Sequence, residues 1–299
     1  MVGHRHDTRH DNRARLILVL GVTAAAMIAE VVGAVLSGSL ALVADAAHMF
    51  TDAAGITIAL TAMAIAERRT AARSTFGLYR LEIFAAALNS VLLLALAGWI
   101  GWEAVDRLVD PPPVAGTTML VVAVVGLAAN AYALRVLAPA ASTNLNVRGA
   151  YLEVLGDLLG SAAVVTAAVV VRTTGATIAD PLCSIIVSVF IVPRTWMLLR
   201  EAVNVLLEAT PRGFDLDHLR AHVLGIDGVV GVHDLHVWTI SSELPVMSAH
   251  VVVDDDSLSH AGEVLDALQD CLGAHFDVSH STFQIEPMGH VDHETRLHP

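Results

Sequence analysis

Apolar residues run on for lengths that an ordinary soluble helix or strand does not need. Six such runs, at 16–36, 40–66, 81–105, 114–137, 147–171 and 181–206, each match the roughly 20 helical residues that cross a hydrocarbon core of about 30 Å. The pattern predicts an all-α six-helix transmembrane bundle. Short polar or turn-forming joints separate the runs: Ser37-Gly38-Ser39, 67–80, Asp110-Pro111-Pro112-Pro113, 139–146 and 173–180. Past Pro211 the pattern changes to shorter segments with strand-like alternation. Segments 215–224 and 257–272 read as helices, and 229–240, 246–253 and 278–285 as strands. That order predicts a small α+β domain (αββαβ), an open sheet with helices on one face. The expected organisation is an N-terminal tail (1–15), a transmembrane domain (16–208), a cytoplasmic domain (209–287) and a disordered polar tail (288–299).

Composition agrees with the membrane reading. Of the residues 55% are hydrophobic and only 16% charged, with a mean hydropathy of +0.63, where soluble domains carry about a quarter charged residues. The formal net charge of −13 argues against nucleic acid as a partner. The two cysteines, Cys183 and Cys271, are too few for a disulfide framework or a cysteine-based zinc knuckle. Arginine placement sets the expected orientation. Arg5, Arg9, Arg13 and Arg15 precede the first run, and Arg68, Arg69, Arg73 and Arg80 lie between the second and third. Arg135, Arg148, Arg200 and Arg212 fall on the same side, and the opposite joints hold only Arg107 and Arg172. Both termini are therefore predicted cytoplasmic in an inner (plasma) membrane.

Ionisable residues at bilayer depth are expensive and are functional candidates by default. The second run carries Asp45, His48 and Asp52, spaced so that one helix face holds all three. The fifth carries Glu153 and Asp157, four apart. If the two stripes face each other, His48, Asp52, Glu153 and Asp157 converge as four N/O ligands for a tetrahedral divalent ion such as Zn2+. Asp45 is a supporting or entry residue. Small neighbours such as Gly156, Gly160 and Ser161 allow close approach of the helices. Glu30, Asn89 and Asn130 read as interhelical contacts, Glu82 as the ion-pair partner of Arg80, and Asp180 as a cap of the sixth helix. In the last domain His218, His222, His260 and His275 read as surface residues. The run Asp254-Asp255-Asp256 reads as a turn capping the next helix.

At these residues the chain resembles the cation diffusion facilitator family of zinc transporters, in particular its zinc-exporting bacterial members of the zinc/cobalt/cadmium-resistance type. The matching segments are Ser39-Leu-Ala-Leu-Val-Ala-Asp-Ala-Ala-His48-Met-Phe-Thr-Asp52, Phe76-Gly-Leu-Tyr-Arg80-Leu-Glu82 and Leu155-Gly-Asp157-Leu-Leu-Gly160-Ser. In the last domain they are His233-Asp-Leu-His236-Val-Trp238 and His280-Ser-Thr-Phe-Gln-Ile-Glu286. The resemblance implies a homodimer in the lipid bilayer, export of Zn2+ coupled to protons, and a metallochaperone-like cytoplasmic domain with regulatory Zn2+. It implies that His48, Asp52 and Asp157 are transport ligands, and that His233, His250 and Glu286, with His280 in addition, hold metal in the last domain. Glu153 departs from the pattern, because zinc-exporting members typically have His there. An oxygen-rich site should tolerate Cd2+, Co2+, Fe2+ or Mn2+ better. Three carboxylates around one ion are expected to keep one acid, Glu153, protonated until metal binds. A metal-gated channel or passive pore could share these ligands. A zinc-dependent intramembrane protease would need a His-Glu-x-x-His motif, which the sequence lacks.

Overall fold

The structure is a computed structural model. It describes residues 4–66, 76, 78–142, 145–241, 244–276, 278 and 280–290, without the side chains of 4–14, 52, 55–56, 58–66 and 145–146. It divides into two compact units, Met1–Leu60 with Leu88–Leu199, and Thr61–Ala87 with Arg200–Pro299.

The first unit is helical, built from α1 (His4–Ser37), α4 (Gly116–Ala141), α5 (Leu145–Thr174) and the greater part of α2 (Leu40–Ala66), α3 (Arg80–Val109) and α6 (Ala179–Leu206). Among the described residues, five helices are long and apolar enough to cross a membrane. The exception is α2, whose described apolar part is Leu40–Thr51. Their exposed faces are apolar, with Val35, Leu92, Val121, Leu159 and Phe190 all more than half exposed, as expected of helices solvated by lipid. Small side chains fill the shared interior. Ala41, Ala44, Ala104, Ala123 and Ala168 pack with Leu42, Met119 and Val164, which lets the backbones approach.

One joint departs from expectation, and the first falls where it was expected. α4 continues through Pro139 to Ala141, so the joint expected at 139–146 starts later. The turn from α1 into α2 is closed by Gly38 at φ +72, a conformation that glycine adopts without Cβ strain.

The sequence reading makes Asp180 a cap of α6. It instead caps α2: its carboxylate accepts from the Ser39 hydroxyl at 2.5 Å, Leu40 N at 2.8 Å and Ala41 N at 3.2 Å. The orphan amides at the start of a buried helix need an acceptor, and a carboxylate from another helix supplies it.

In the second unit α7 (Leu216–Leu224), β1 (Val229–Thr239), β2 (Pro245–Val253), α8 (Asp255–Leu258), α9 (Ala261–His275) and β3 (His280–Pro287) follow in order. The sheet order is β1-β2-β3, with β1 and β2 antiparallel and β2 and β3 parallel. Alternation along β2 sends Ala249, Val251 and Val253 into a core with Leu219 and Val223 of α7 and Leu268 and Leu272 of α9. Ser248, His250 and Val252 point to the opposite, open face. Asp254 caps α8 through a 2.7 Å bond from Ser257 N, as its acidic turn suggested. Arg80 pairs with Glu208 at 2.6 Å where the sequence pointed to Glu82. Most of the expected tail at 288–299 lies outside the described residues.

Candidate metal centres

The polar positions of α2 and α5 meet inside the helical unit. His48 Nε2 lies 3.6 Å from Asp157 Oδ1, and Asp157 is 4% exposed. Two ligands of one tetrahedral Zn2+ at bond lengths of about 2.0–2.1 Å stand roughly 3.3 Å apart. The separation of His48 and Asp157 is therefore close to that of a coordinating pair. Asp52 follows His48 on α2 by one turn, and its side chain lies outside the described residues.

Asp45, one turn before His48, is 1% exposed. Its Oδ2 accepts the Ser161 hydroxyl at 2.9 Å, and Ser161 in turn accepts from Asn130 Nδ2 at 3.1 Å. A hydrogen-bonded line thus runs from α4 through α5 to α2. Gly160 makes room for it, because a Cβ there would stand 2.9 Å from Asp45 Oδ1. A Cβ at Gly126 would likewise overlap the carboxylate of Glu30. Glu30 is fully buried on α1, and neither of its oxygens has a hydrogen-bond partner among the described residues. Glu30 thus packs against α4 at Gly126, but without a hydrogen bond across that contact among the described residues. Asn89 does make such a contact, donating to Thr51 O at 3.3 Å.

Glu153 has a cationic neighbour that sequence reasoning missed: Arg194 of α6 approaches it to 3.6 Å. The three carboxylates and one imidazole of the expected tetrad carry −3, and Arg194 makes the group −2, which one divalent ion neutralises. Arg194 sits between Pro193 and Trp196 in an apolar run, without an acid on its own helix turn to flag it.

The second centre lies on the open face of the sheet. Register puts His233 opposite His250, with Gln284 and Glu286 alongside on β3. His250 Nδ1 stands 2.8 Å from Glu286 Oε1, and His233 Nε2 3.5 Å from Glu286 Oε2. One ligand atom from each of the three falls within 4.8 Å of the others. Glu286 is 1% exposed, and its Oε1 accepts from Gln284 Nε2 at 2.8 Å. A register shift between His233 and His236, with Asp234 at φ +44, re-aims β1 here, as bulges near functional positions do. The donor set, two imidazoles and a carboxylate, fits Zn2+. His280 is not brought to this group. It pairs with Val246, four residues from the partner of His250 and about 13 Å along the strand, and its ring meets Phe76 edge-on at 5.6 Å.

A third group forms where the sequence suggested only surface: His222, Cys271 and His275 offer ligand atoms within 4.8 Å of one another.

Comparison with known proteins agrees with both halves of the chain. The cation efflux transmembrane domain matches residues 16–207, and the cation efflux protein cytoplasmic domain matches 211–288. The metal cation efflux system protein CzcD of Cupriavidus metallidurans is 44% identical over 284 residues, 95% of this chain and 90% of its own. The zinc transporter ZitB of Escherichia coli is 43% identical over 293 residues, 95% and 91% of the two chains. The cadmium, cobalt and zinc/H(+)-K(+) antiporter of Bacillus subtilis is 36% identical over 292 residues, 97% and 93%. A solved structure of the metal-bound C-terminal domain of the CzcD transporter from Cupriavidus metallidurans is 36% identical, covering 24% of this chain and 99% of its own, at a TM-score of 0.23. The chain belongs to the cation efflux family, and it is a multi-pass membrane transporter of metal cations, not an enzyme.

Proposed function

We propose that this protein exports a divalent transition metal, Zn2+ foremost, from the cytoplasm in exchange for protons. It does so by alternating access through six spans, with both termini cytoplasmic in the inner membrane. The observation that carries the reading is the 3.6 Å approach of His48 to Asp157 between two apolar helices. Protons and a divalent ion compete for such a pair, since imidazole and carboxylate bind metal only when deprotonated. The names of the relatives, zinc transporter and zinc/H(+)-K(+) antiporter, support the metal and the counter-ion.

In this scheme His48, Asp52, Glu153 and Asp157 are the cargo ligands, and Asp45 positions α2 through Ser161. Metal arriving from the cytoplasm displaces protons, the bundle rocks, and external protons release the metal. Arg194 leaves the filled site neutral, and the oxygen-rich set admits Cd2+, Co2+, Fe2+ or Mn2+ beside Zn2+. The protein acts as a homodimer, consistent with a cytoplasmic-domain family named for dimerisation. Metal at His233, His250 and Glu286 biases the assembly.

The test is the full chain in liposomes with an internal pH dye. A step of external Zn2+ should move protons opposite to the metal, and Asp157→Ala should abolish both fluxes. Zn2+ entry without proton movement would make the protein a channel.

A further inference from the structure

We infer that the helix layer of the C-terminal domain holds a metal site of its own, in which His222 Nδ1 of α7 and Cys271 Sγ and His275 Nε2 of α9 bind one borderline-soft divalent ion. Each helix contributes a pair at helical spacing: His218 and His222 on α7, Cys271 and His275 on α9. Leu219 and Val223 of α7 and Leu268 and Leu272 of α9 share one core, and that packing turns the polar pairs toward each other. Cys271 Sγ lies 3.7 Å from His222 Nδ1. Sulfur and nitrogen ligands of one tetrahedral Zn2+, at bond lengths of about 2.3 and 2.0–2.1 Å, stand roughly 3.6 Å apart. The ring of His275 lies 4.8 Å from that of His222.

The remaining nitrogens are occupied in the way that orients metal ligands. His275 Nδ1 lies 3.1 Å from the backbone oxygen of Cys271; donating there leaves Nε2 with the free lone pair. His222 Nε2 lies 3.2 Å from His218 Nε2; donating there leaves Nδ1 for the ion. Backbone carbonyls and neighbouring side chains commonly fix histidine tautomers around metals in this manner. Phe276 packs against both rings, at 5.5 Å from His218 and 5.3 Å from His222, and restrains them. His275 is exposed and Cys271 and His222 partly so, so water can enter as a fourth ligand.

This site is on the opposite face of the sheet from His233, His250 and Glu286, and it alone contains sulfur. Co2+ therefore reports it without interference. The full-length protein in detergent, reduced and titrated with Co2+, should show thiolate-to-cobalt charge-transfer absorption that saturates at one ion per chain. The band should vanish in Cys271→Ser and survive in Cys183→Ser and in the His233→Ala/His250→Ala pair. Cys271→His should keep the metal count in equilibrium dialysis but lose the band, and His218→Ala should weaken binding about 10–100-fold. Absence of the band from the reduced wild-type protein, or its persistence in Cys271→Ser, overturns the assignment. Neither result touches the transport reading, which is decided by flux.

Discussion

Ser161 on α5 donates its hydroxyl hydrogen to Asp45 on α2 at 2.9 Å. With Asn130 of α4 donating to the same hydroxyl, this bond ties the helix that carries His48 to the helix that carries Asp157. The tie lies in a fully buried interior, where losing a partner leaves an acceptor stranded. Ser161→Ala should therefore destabilise the detergent-solubilised protein by about 1–3 kcal/mol. It should also slow metal export while leaving metal affinity nearly unchanged, because no ligand is removed. Thermal unfolding together with vesicle uptake checks this. An alanine variant as stable and as fast as wild type would strip the tie of any role.

Glu153 and Arg194 make a charge argument that a double-mutant cycle can test. The proposed tetrad with Arg194 carries −2, which one divalent ion neutralises. Glu153→His alone leaves −1 and Arg194→Ala alone leaves −3, so each single change should lower the rate of Zn2+ export. The two together restore −2 and should recover much of the loss, with a coupling of about 1–3 kcal/mol. Initial rates of Zn2+ uptake by inverted vesicles for the four proteins decide it. Strictly additive losses would show that the 3.6 Å approach has no electrostatic bearing on transport.

The helices were legible because a run of apolar residues long enough to cross a bilayer has few other uses, and the helical spacing of His48 with Asp52 and of Glu153 with Asp157 survives any small error in boundaries. Partners from distant segments were not legible. Asp180 stands at the start of α6, where local spacing makes it a cap for that helix, yet its oxygens serve Leu40 and Ala41. Arg194 could be found only by folding α6 against α5. The pairs on α7 and α9 were visible singly. Their convergence depends on how the two helices settle on one face of a three-stranded sheet, and spacing within either helix does not encode that.

Asp180 gives a stability prediction distinct from transport. Its carboxylate satisfies one hydroxyl and two backbone amides at a buried helix start. Asp180→Ala should cost at least about 2 kcal/mol, and Asp180→Asn, with a single acceptor oxygen, should cost less. The readout is thermal unfolding in detergent without added metal. Equal stability of all three proteins would mean that water satisfies the start of α2 as well as the carboxylate does.

Glu286 is the buried acid to which His233 and His250 both turn, at 3.5 and 2.8 Å. Glu286→Gln preserves the shape of the side chain and removes its charge, so it separates ligation from packing. A site held by two imidazoles and a carboxylate should lose at least tenfold in Zn2+ affinity. By mass action, metal-induced stabilisation then falls by about 1.4 kcal/mol at saturating metal. The measurement is the Zn2+-dependent shift in unfolding temperature of the full chain, made in a Cys271→Ser background so that the helix-layer cluster does not contribute. The shift should shrink in Glu286→Gln and return in Glu286→Asp only if the shorter side chain still reaches both rings. If the glutamine variant keeps the whole shift, the two histidines and Glu286 are a hydrogen-bonded trio that closes the sheet face, and metal acts on this domain elsewhere.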